Sequence, residues 1–356
     1  MPKKPADAIR PEIRALKSYA VPHSDGMVKL DAMENPYTLP AELRARLGRL
    51  VEGAALNRYP DVPATALKAD LNRVLQVPDG IELVLGNGSD ELIQMVCMAA
   101  GGQGGVLSVE PTFVMFRMIA TFAGTRYVGV DLRDDFSLDV ERTLAAIERE
   151  KPGVVIVTYP NNPTGNLFDA GLIERIVEAA PGIVLLDEAY HAFASDSFMS
   201  RLPRHPNLLV MRTLSKLGLA GIRLGVLAGH AELIQELGKV RLPYNINTLT
   251  QVVAREMLQH INVLTEQAGT IKLERSRLLE ALRGIPGVTA YPSDANFILF
   301  RTSQAERVFD GLKQRGVLIR SLHGSHRLLA DCLRVTVGTP DENAAFLSAL
   351  KQTLAA

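Results

Sequence analysis

Apolar residues along this chain fall into short runs that alternate with segments of helical spacing. The runs IELVLG (81–86), GGVLSV (104–109), TRYVGV (125–130), GVVIVTY (153–159), GIVLLD (182–187), NLLVMRT (207–213) and RLGVLAG (223–229) are bounded by Gly, Pro or Asp. Between them, ATALKADLNRVLQ (64–76), DELIQMVCMAA (90–100), SLDVERTLAAIE (137–148) and AGLIERIVEAA (170–180) repeat their apolar positions at helical spacing. Continuous apolar strands separated by amphipathic helices predict an α/β fold whose mainly parallel, mixed sheet is covered by helices.

The pattern changes beyond residue 230. Residues 231–283 read as one long helical region. VTAYPSDANFILFR (288–301), GVLIRS (316–321) and CLRVTVG (332–338) then read as strands of a smaller α+β domain closed by the amphipathic helix DENAAFLSALKQTL (341–354). Residues 1–35 are rich in Pro and charge and weakly periodic, which reads as an arm. The expected partition is 1–50 for the arm and part of the small domain, 51–255 for the large domain and 256–356 for the rest of the small one. The domain change itself is expected within the helical region near 245–275. There is no internal repeat and no low-complexity tract.

Composition narrows the classes of function. A chain of 356 residues with Lys+Arg and Asp+Glu balanced at 39 each has no long-range attraction for nucleic acid or an anionic membrane, so neither is an expected partner. Any anionic ligand must be caught locally. Cys97 and Cys332 sit in apolar surroundings, as core thiols do, and two lone cysteines suit a reducing compartment. The opening MPKKPADAIRPEIRAL has basic residues without an apolar segment behind them, so no secretory signal is expected. No apolar run approaches the roughly 20 residues of a membrane span. A cytoplasmic protein without a metal site is the expectation.

Four segments carry candidate chemistry. TLSKLGLAGIRLG (213–225) follows an apolar strand and sets Lys216 at the edge where parallel sheets bind ligands. A desolvated lysine amine loses basicity and becomes able to form an imine, while Thr213, Ser215 and Arg223 are donors suited to a dianionic phosphate. GNGSDELI (86–93) places glycines before a helix start, whose free N–H groups bind phosphate. VLLDEAY (184–190) ends a strand on Asp187, a carboxylate that calls for a cationic partner such as a protonated pyridine nitrogen. A Walker-type metal carboxylate is the competing reading of DEA, but no GxxxxGK[ST] loop exists. YPNNPTGNL (159–167) holds Asn162 out of helix before Pro163, where its amide can face a pocket.

In this order, GNGSDE, YPNNPTG, DEAY and TLSKLGLAGIRLG resemble the fold-type I, class I/II pyridoxal-phosphate aminotransferases, and LDAMENPY (30–37), NRYPD (57–61) and CLRVTVGTPDEN (332–343) resemble the histidinol-phosphate branch. The likeness runs from about residue 10 to the end. It implies pyridoxal 5′-phosphate bound covalently to Lys216, Asp187 facing the pyridine nitrogen, and Asn162 and Tyr190 at the ring oxygen. It implies a phosphate cup of Ser89 and Asp90, largely through backbone groups, with Thr213, Ser215 and Arg223. Phe113 would stack on the ring, and Tyr59 would reach the cofactor phosphate of a neighbouring subunit, so that a homodimer completes each site. Arg334 would grip the substrate's anionic end, with Arg320, Tyr19 and Asn35 nearby.

The implied reaction is transamination of L-histidinol phosphate with 2-oxoglutarate, giving imidazole-acetol phosphate and L-glutamate in histidine biosynthesis. An aromatic aminotransferase, a threonine-phosphate decarboxylase and a cofactor-sensing regulator share the motifs. A regulator would be expected to carry a DNA-binding domain, for which residues 1–35 are too few. Two features depart from the family pattern. Arg223 follows Lys216 by seven positions where many relatives have eight, which would tighten the phosphate cup, and LHGSHRLLADC (322–332) has no familiar counterpart.

Overall fold

The computed structural model describes residues 5–18 and 22–355. Its strands are β1 (Val28–Lys29), β2 (Ile81–Gly86), β3 (Val106–Glu110), β4 (Tyr127–Asp131), β5 (Val154–Thr158), β6 (Ile183–Asp187), β7 (Leu208–Thr213), β8 (Gly225–His230), β9 (Val288–Ala290), β10 (Phe297–Thr302), β11 (Val317–Leu318), β12 (Arg320–Ser321) and β13 (Cys332–Thr336).

The apolar runs between 81 and 230 form one seven-stranded sheet in the order β2-β8-β7-β6-β5-β3-β4. From β7 through β4 every pairing is parallel, and β8 alone runs against its neighbours β7 and β2. All five residues of β5 and all six of β7 are buried. Alternate residues feed two cores: Val155 and Val157 join one, Val154 and Ile156 the other. A sheet covered on both faces needs apolar residues at every position, which is why these strands read as runs. Its other consequence is functional. The carboxyl ends of β2, β3, β5, β6 and β7 open on the same edge, where α/β sheets bind ligands.

β12-β13-β10-β9 form a separate antiparallel sheet in which Arg320 stands opposite Arg334. Part of the arm is stitched to this unit. β1 pairs in parallel with β11. Thr336 N–H donates to the Leu30 carbonyl at 2.9 Å, and the Asn296 amide to the Met33 carbonyl at 3.0 Å.

Residues 231–283 are not continuous helix. They form Ala231–Gly238, Thr248–Gln259 and Ile261–Arg283, with an irregular stretch between the first two and a break at His260. Pro243 lacks the N–H that a helix needs, and Tyr244 takes φ 60°. Asn247 then starts the next helix by accepting from Thr250 N–H at 2.8 Å.

Candidate active site

The turn after β7 holds Lys216. The chain widens there: Leu219 N–H reaches back five residues to the Leu214 carbonyl at 3.1 Å, and Gly218 takes φ 134°. A Cβ at that glycine would press on the Asn35 amide at 2.9 Å. Thr213 Oγ1 braces the turn, accepting from Ser215 N–H at 3.1 Å and lying 2.9 Å from Ser215 Oγ. The Lys216 amine donates to the Ala32 carbonyl at 2.9 Å. Burial lowers it to about 8; Arg334 adds to this, and Glu34 and Asp90 oppose it. About a tenth of this amine is therefore neutral at about pH 7, far more than for an exposed lysine.

Asp187 ends β6 and is 4% exposed, with its Oδ1 accepting from Ala189 N–H at 3.0 Å. Burial pushes its carboxyl up to about 7; the Ala189 N–H and Lys216 oppose this, and Asp90 and Glu188 add to it. The next residue, Glu188, is fully buried and meets Ser197, Phe198 N–H and Arg212 at 2.6–3.0 Å. Because Arg212 lies on β7, this ion pair ties together the strands that carry Asp187 and Lys216.

The segment after β2 forms a glycine cradle packed against Arg223. Gly88 (φ 90°) precedes the helix Ser89–Ala100, whose first-turn N–H groups have no partner within the helix. A Cβ on Gly88 would collide with the Arg223 guanidinium, and one on Gly225 would come within 2.7–2.9 Å of the Gly88–Ser89 backbone. Arg223 itself takes φ 51°, its Nη1 lies 3.4 Å from Ser215 Oγ and its Nη2 4.0 Å from Asp90. The seven-residue spacing from Lys216 thus still returns Arg223 to the cup, by way of the wide turn and Gly218. Burial raises the Asp90 carboxyl, and its buried Oδ1 has no hydrogen-bond partner among the described residues.

A cavity of about 300 Å³ lies at Arg334, whose charge acts on the Lys216 amine; Lys216, Asp187 and Arg223 are not among its lining residues. Phe113, Asn162, Arg320 and Arg334 line it, as sequence reasoning expected of a site, but so do Glu110 and Arg117, for which no signal was recognised. Arg334 is 7% exposed; its Nη1 donates to Asn162 Oδ1 at 2.5 Å and its Nη2 to the Asp31 carbonyl at 3.1 Å. Tyr190 is buried, with its hydroxyl 3.3 Å from Met33 Sδ. Asn35 is turned to the lysine loop, its amide donating to the Leu217 carbonyl and to Gln267 at 3.0 and 2.9 Å. Tyr59 is outside this constellation: 80% exposed, it stacks on Tyr244 with centroids 4.2 Å apart. Tyr19 lies outside the described residues.

The family model for aminotransferase class I and II matches residues 25–350. The chain belongs to this family. It is 56% identical over 350 residues to histidinol-phosphate aminotransferase 2 of Nitrosococcus oceani, with 97% of each chain covered. It is 53% identical over 345 residues to the histidinol-phosphate aminotransferase of Chromobacterium violaceum, again with 97% of each covered. Among solved structures, the histidinol-phosphate aminotransferase of Sinorhizobium meliloti in complex with pyridoxal-5′-phosphate is similar in fold, with TM-score 0.87 at 23% identity over 98% of this chain and 97% of that one. That of Clostridium acetobutylicum has TM-score 0.83 at 25% identity, covering 91% and 98%.

The residues of this class I/II aminotransferase fit the cofactor that the resemblance implies. A cationic ring nitrogen would relieve the desolvated Asp187, and Arg223, packed on Gly88 beside Ser215 and Asp90, would offer its guanidinium to a phosphate at the helix start.

Proposed function

We propose that this aminotransferase moves the amino group of L-histidinol phosphate to 2-oxoglutarate, forming imidazole-acetol phosphate and L-glutamate, with pyridoxal 5′-phosphate carried on Lys216. Support comes from the pairing of a depressed lysine amine with a raised carboxyl at neighbouring strand ends, beside a cavity lined by Arg320 and Arg334. Relatives 53–56% identical that bear the histidinol-phosphate name give the substrate.

When bound, the cofactor supplies an electron sink for the charge left at the substrate's α-carbon. Asp187 would keep a proton on the ring nitrogen, and Asn162 and Tyr190 would hold the ring oxygen. Phe113 offers a stacking face. Ser89, Asp90, Thr213, Ser215 and Arg223 hold the phosphate, the first two largely through N–H groups at the helix start. The Lys216 amine, its basicity lowered by burial, would take the proton from the substrate α-carbon. Arg320 and Arg334 receive the anionic end of either substrate. Phosphate and carboxylate both suit a guanidinium fork, so one pocket serves both half-reactions.

The assembly is a cytoplasmic homodimer in which Tyr59 reaches the partner's cofactor phosphate. The exposed side chains of Leu56, Tyr59, Leu242 and Tyr244 support this, and the two cysteines are separate buried thiols, as a reducing compartment favours. No helix among the described residues is long and apolar enough to cross a membrane. The partition into 1–50, 51–255 and 256–356 stands as our working division, supported by the pairing of β1 with β11.

A substrate panel tests the reading. Histidinol phosphate is expected to exceed phenylalanine in kcat/KM with 2-oxoglutarate as acceptor, O-phosphothreonine to release no CO₂, and Lys216→Ala to abolish turnover. Turnover by the alanine variant, or a preference for phenylalanine, overturns it.

A further inference from the structure

The polar groups of the substrate cavity are unequal in charge. Three arginines line it, Arg117, Arg320 and Arg334, but among its lining residues Glu110 is the only acid. His326 also lines it and is held by hydrogen bonds at both ring nitrogens. Its Nδ1 accepts from Leu328 N–H at 3.2 Å, which leaves Nε2 as the N–H facing Asp131 at 3.1 Å. Arg327 Nε meets the same carboxylate at 2.7 Å, so Asp131 is already neutralised. With Asp131 and Glu110 each matched to an arginine, the neighbouring Glu110, Asp131 and His326 are a cavity wall and not an empty cation site.

Glu110 is held with its oxygens presented. It ends β3 and packs over Gly129, where a Cβ would overlap it, and it is 17% exposed. Arg117 Nη2 donates to Oε1 and Oε2 at 2.8 and 3.0 Å, and the Arg117 guanidinium lies over Tyr127, 4.5 Å from the ring centre. A carboxylate has about four acceptor sites; the two Arg117 bonds and the neighbouring Tyr127 hydroxyl take up three of them. That leaves capacity for one further N–H donor on a residue that lines the cavity.

Resting on the reading of this cavity as a histidinol-phosphate site, we infer that Glu110, oriented by Arg117, accepts the N–H of the substrate's imidazole ring and so selects it over an apolar ring of similar size. The phosphate end goes to Arg320 and Arg334, and the ring end to the one carboxylate that lines the cavity. A phenyl ring has no N–H to give. It strips water from Glu110 without replacing its hydrogen bonds, the circumstance in which enzymes discriminate most strongly.

The test uses the cofactor-loaded enzyme and two unreactive probes, 2-(imidazol-4-yl)ethyl phosphate and 2-phenylethyl phosphate, with dissociation constants read from changes in cofactor absorbance. The wild type is expected to bind the imidazole probe about tenfold or more tighter, and Glu110→Gln, which keeps the shape, to lose most of that preference while holding 2-phenylethyl phosphate as before. In single-turnover half-reactions the variant's rate constant per concentration should fall about tenfold for histidinol phosphate and stay within about threefold for glutamate. Equal affinity of the wild type for both probes, or an equal fall for both substrates, overturns the role of Glu110 and leaves the proposed function standing. Failure of both probes to bind the wild type sinks the histidinol-phosphate reading and this inference with it.

Discussion

Replacing Asp187 by asparagine is expected to stabilise the cofactor-free protein while destroying its activity. In the folded, empty chain, burial raises this carboxyl from 3.8 to about 7, so ionising it is about 4 kcal/mol harder than in the unfolded chain. The sign follows from linkage. Below pH 3.8 the group is protonated in both states and costs nothing. As pH rises toward 7 the unfolded chain releases the proton first, and stability is lost across that window; above about 7 the loss is complete. An asparagine side chain keeps an oxygen for the Ala189 N–H and carries no charge. The variant should therefore exceed the wild type by up to about 4 kcal/mol at about pH 8 and by under half of that at about pH 5, measured by urea unfolding of cofactor-free protein. Bound cofactor reverses the order, because its cationic ring nitrogen is held by the carboxylate of Asp187 and not by the neutral amide of the variant. An asparagine variant no more stable than wild type at about pH 8 without cofactor would refute the claim that Asp187 is a desolvated charge awaiting a partner.

Two further outcomes are expected. Gly88→Ala forces a Cβ against the Arg223 guanidinium at φ 90° and should weaken cofactor affinity by about 10-fold to 100-fold, as loss of a charge-assisted phosphate contact would, with Arg223→Met matching it in an absorbance titration. Unchanged affinity in Gly88→Ala would remove the cradle from the account. Mixing Tyr59→Ala with Lys216→Ala subunits should restore part of the wild-type activity if sites are shared across a dimer; no recovery after demonstrated subunit exchange counts against sharing.

The large sheet was legible because burial on both faces turns strands into unbroken apolar runs, and Gly, Pro and Asp punctuate them. The motifs around Lys216, Asp187, Asn162 and Gly88 were legible for a related reason: each is a local turn at a strand end. The helix Ala41–Glu52 left little signal, since Leu43 is its only buried residue. The break at 239–247 was missed because one proline and one tyrosine at positive φ do little to a helical apolar pattern on either side. Contacts between distant segments were beyond the reach of local pattern. The Ala32 carbonyl at Lys216, the Asn35 amide on the Leu217 carbonyl and the Asp31 carbonyl on Arg334 join residues 182–303 positions apart. Glu110 belongs to no local motif; its place in the cavity wall comes from Arg117, from Gly129 on β4 and from the 322–332 segment.

The antiparallel strand β8 has a consequence for the protein's life in a cell. It sits between β2 and β7, so Gly225 on β8 meets the Gly88 turn after β2 while Lys216 follows β7. The cradle has no partial version: it appears only when a strand from near residue 81 has been enclosed by one that ends near 230. A half-made chain on the ribosome has nothing to hold the cofactor with. Binding is thus reserved for the completed sheet, and at about a hundredfold excess over its dissociation constant it adds about 2.7 kcal/mol to the folded state. Protein kept short of cofactor is therefore expected to be cleaved faster by added protease than the loaded form.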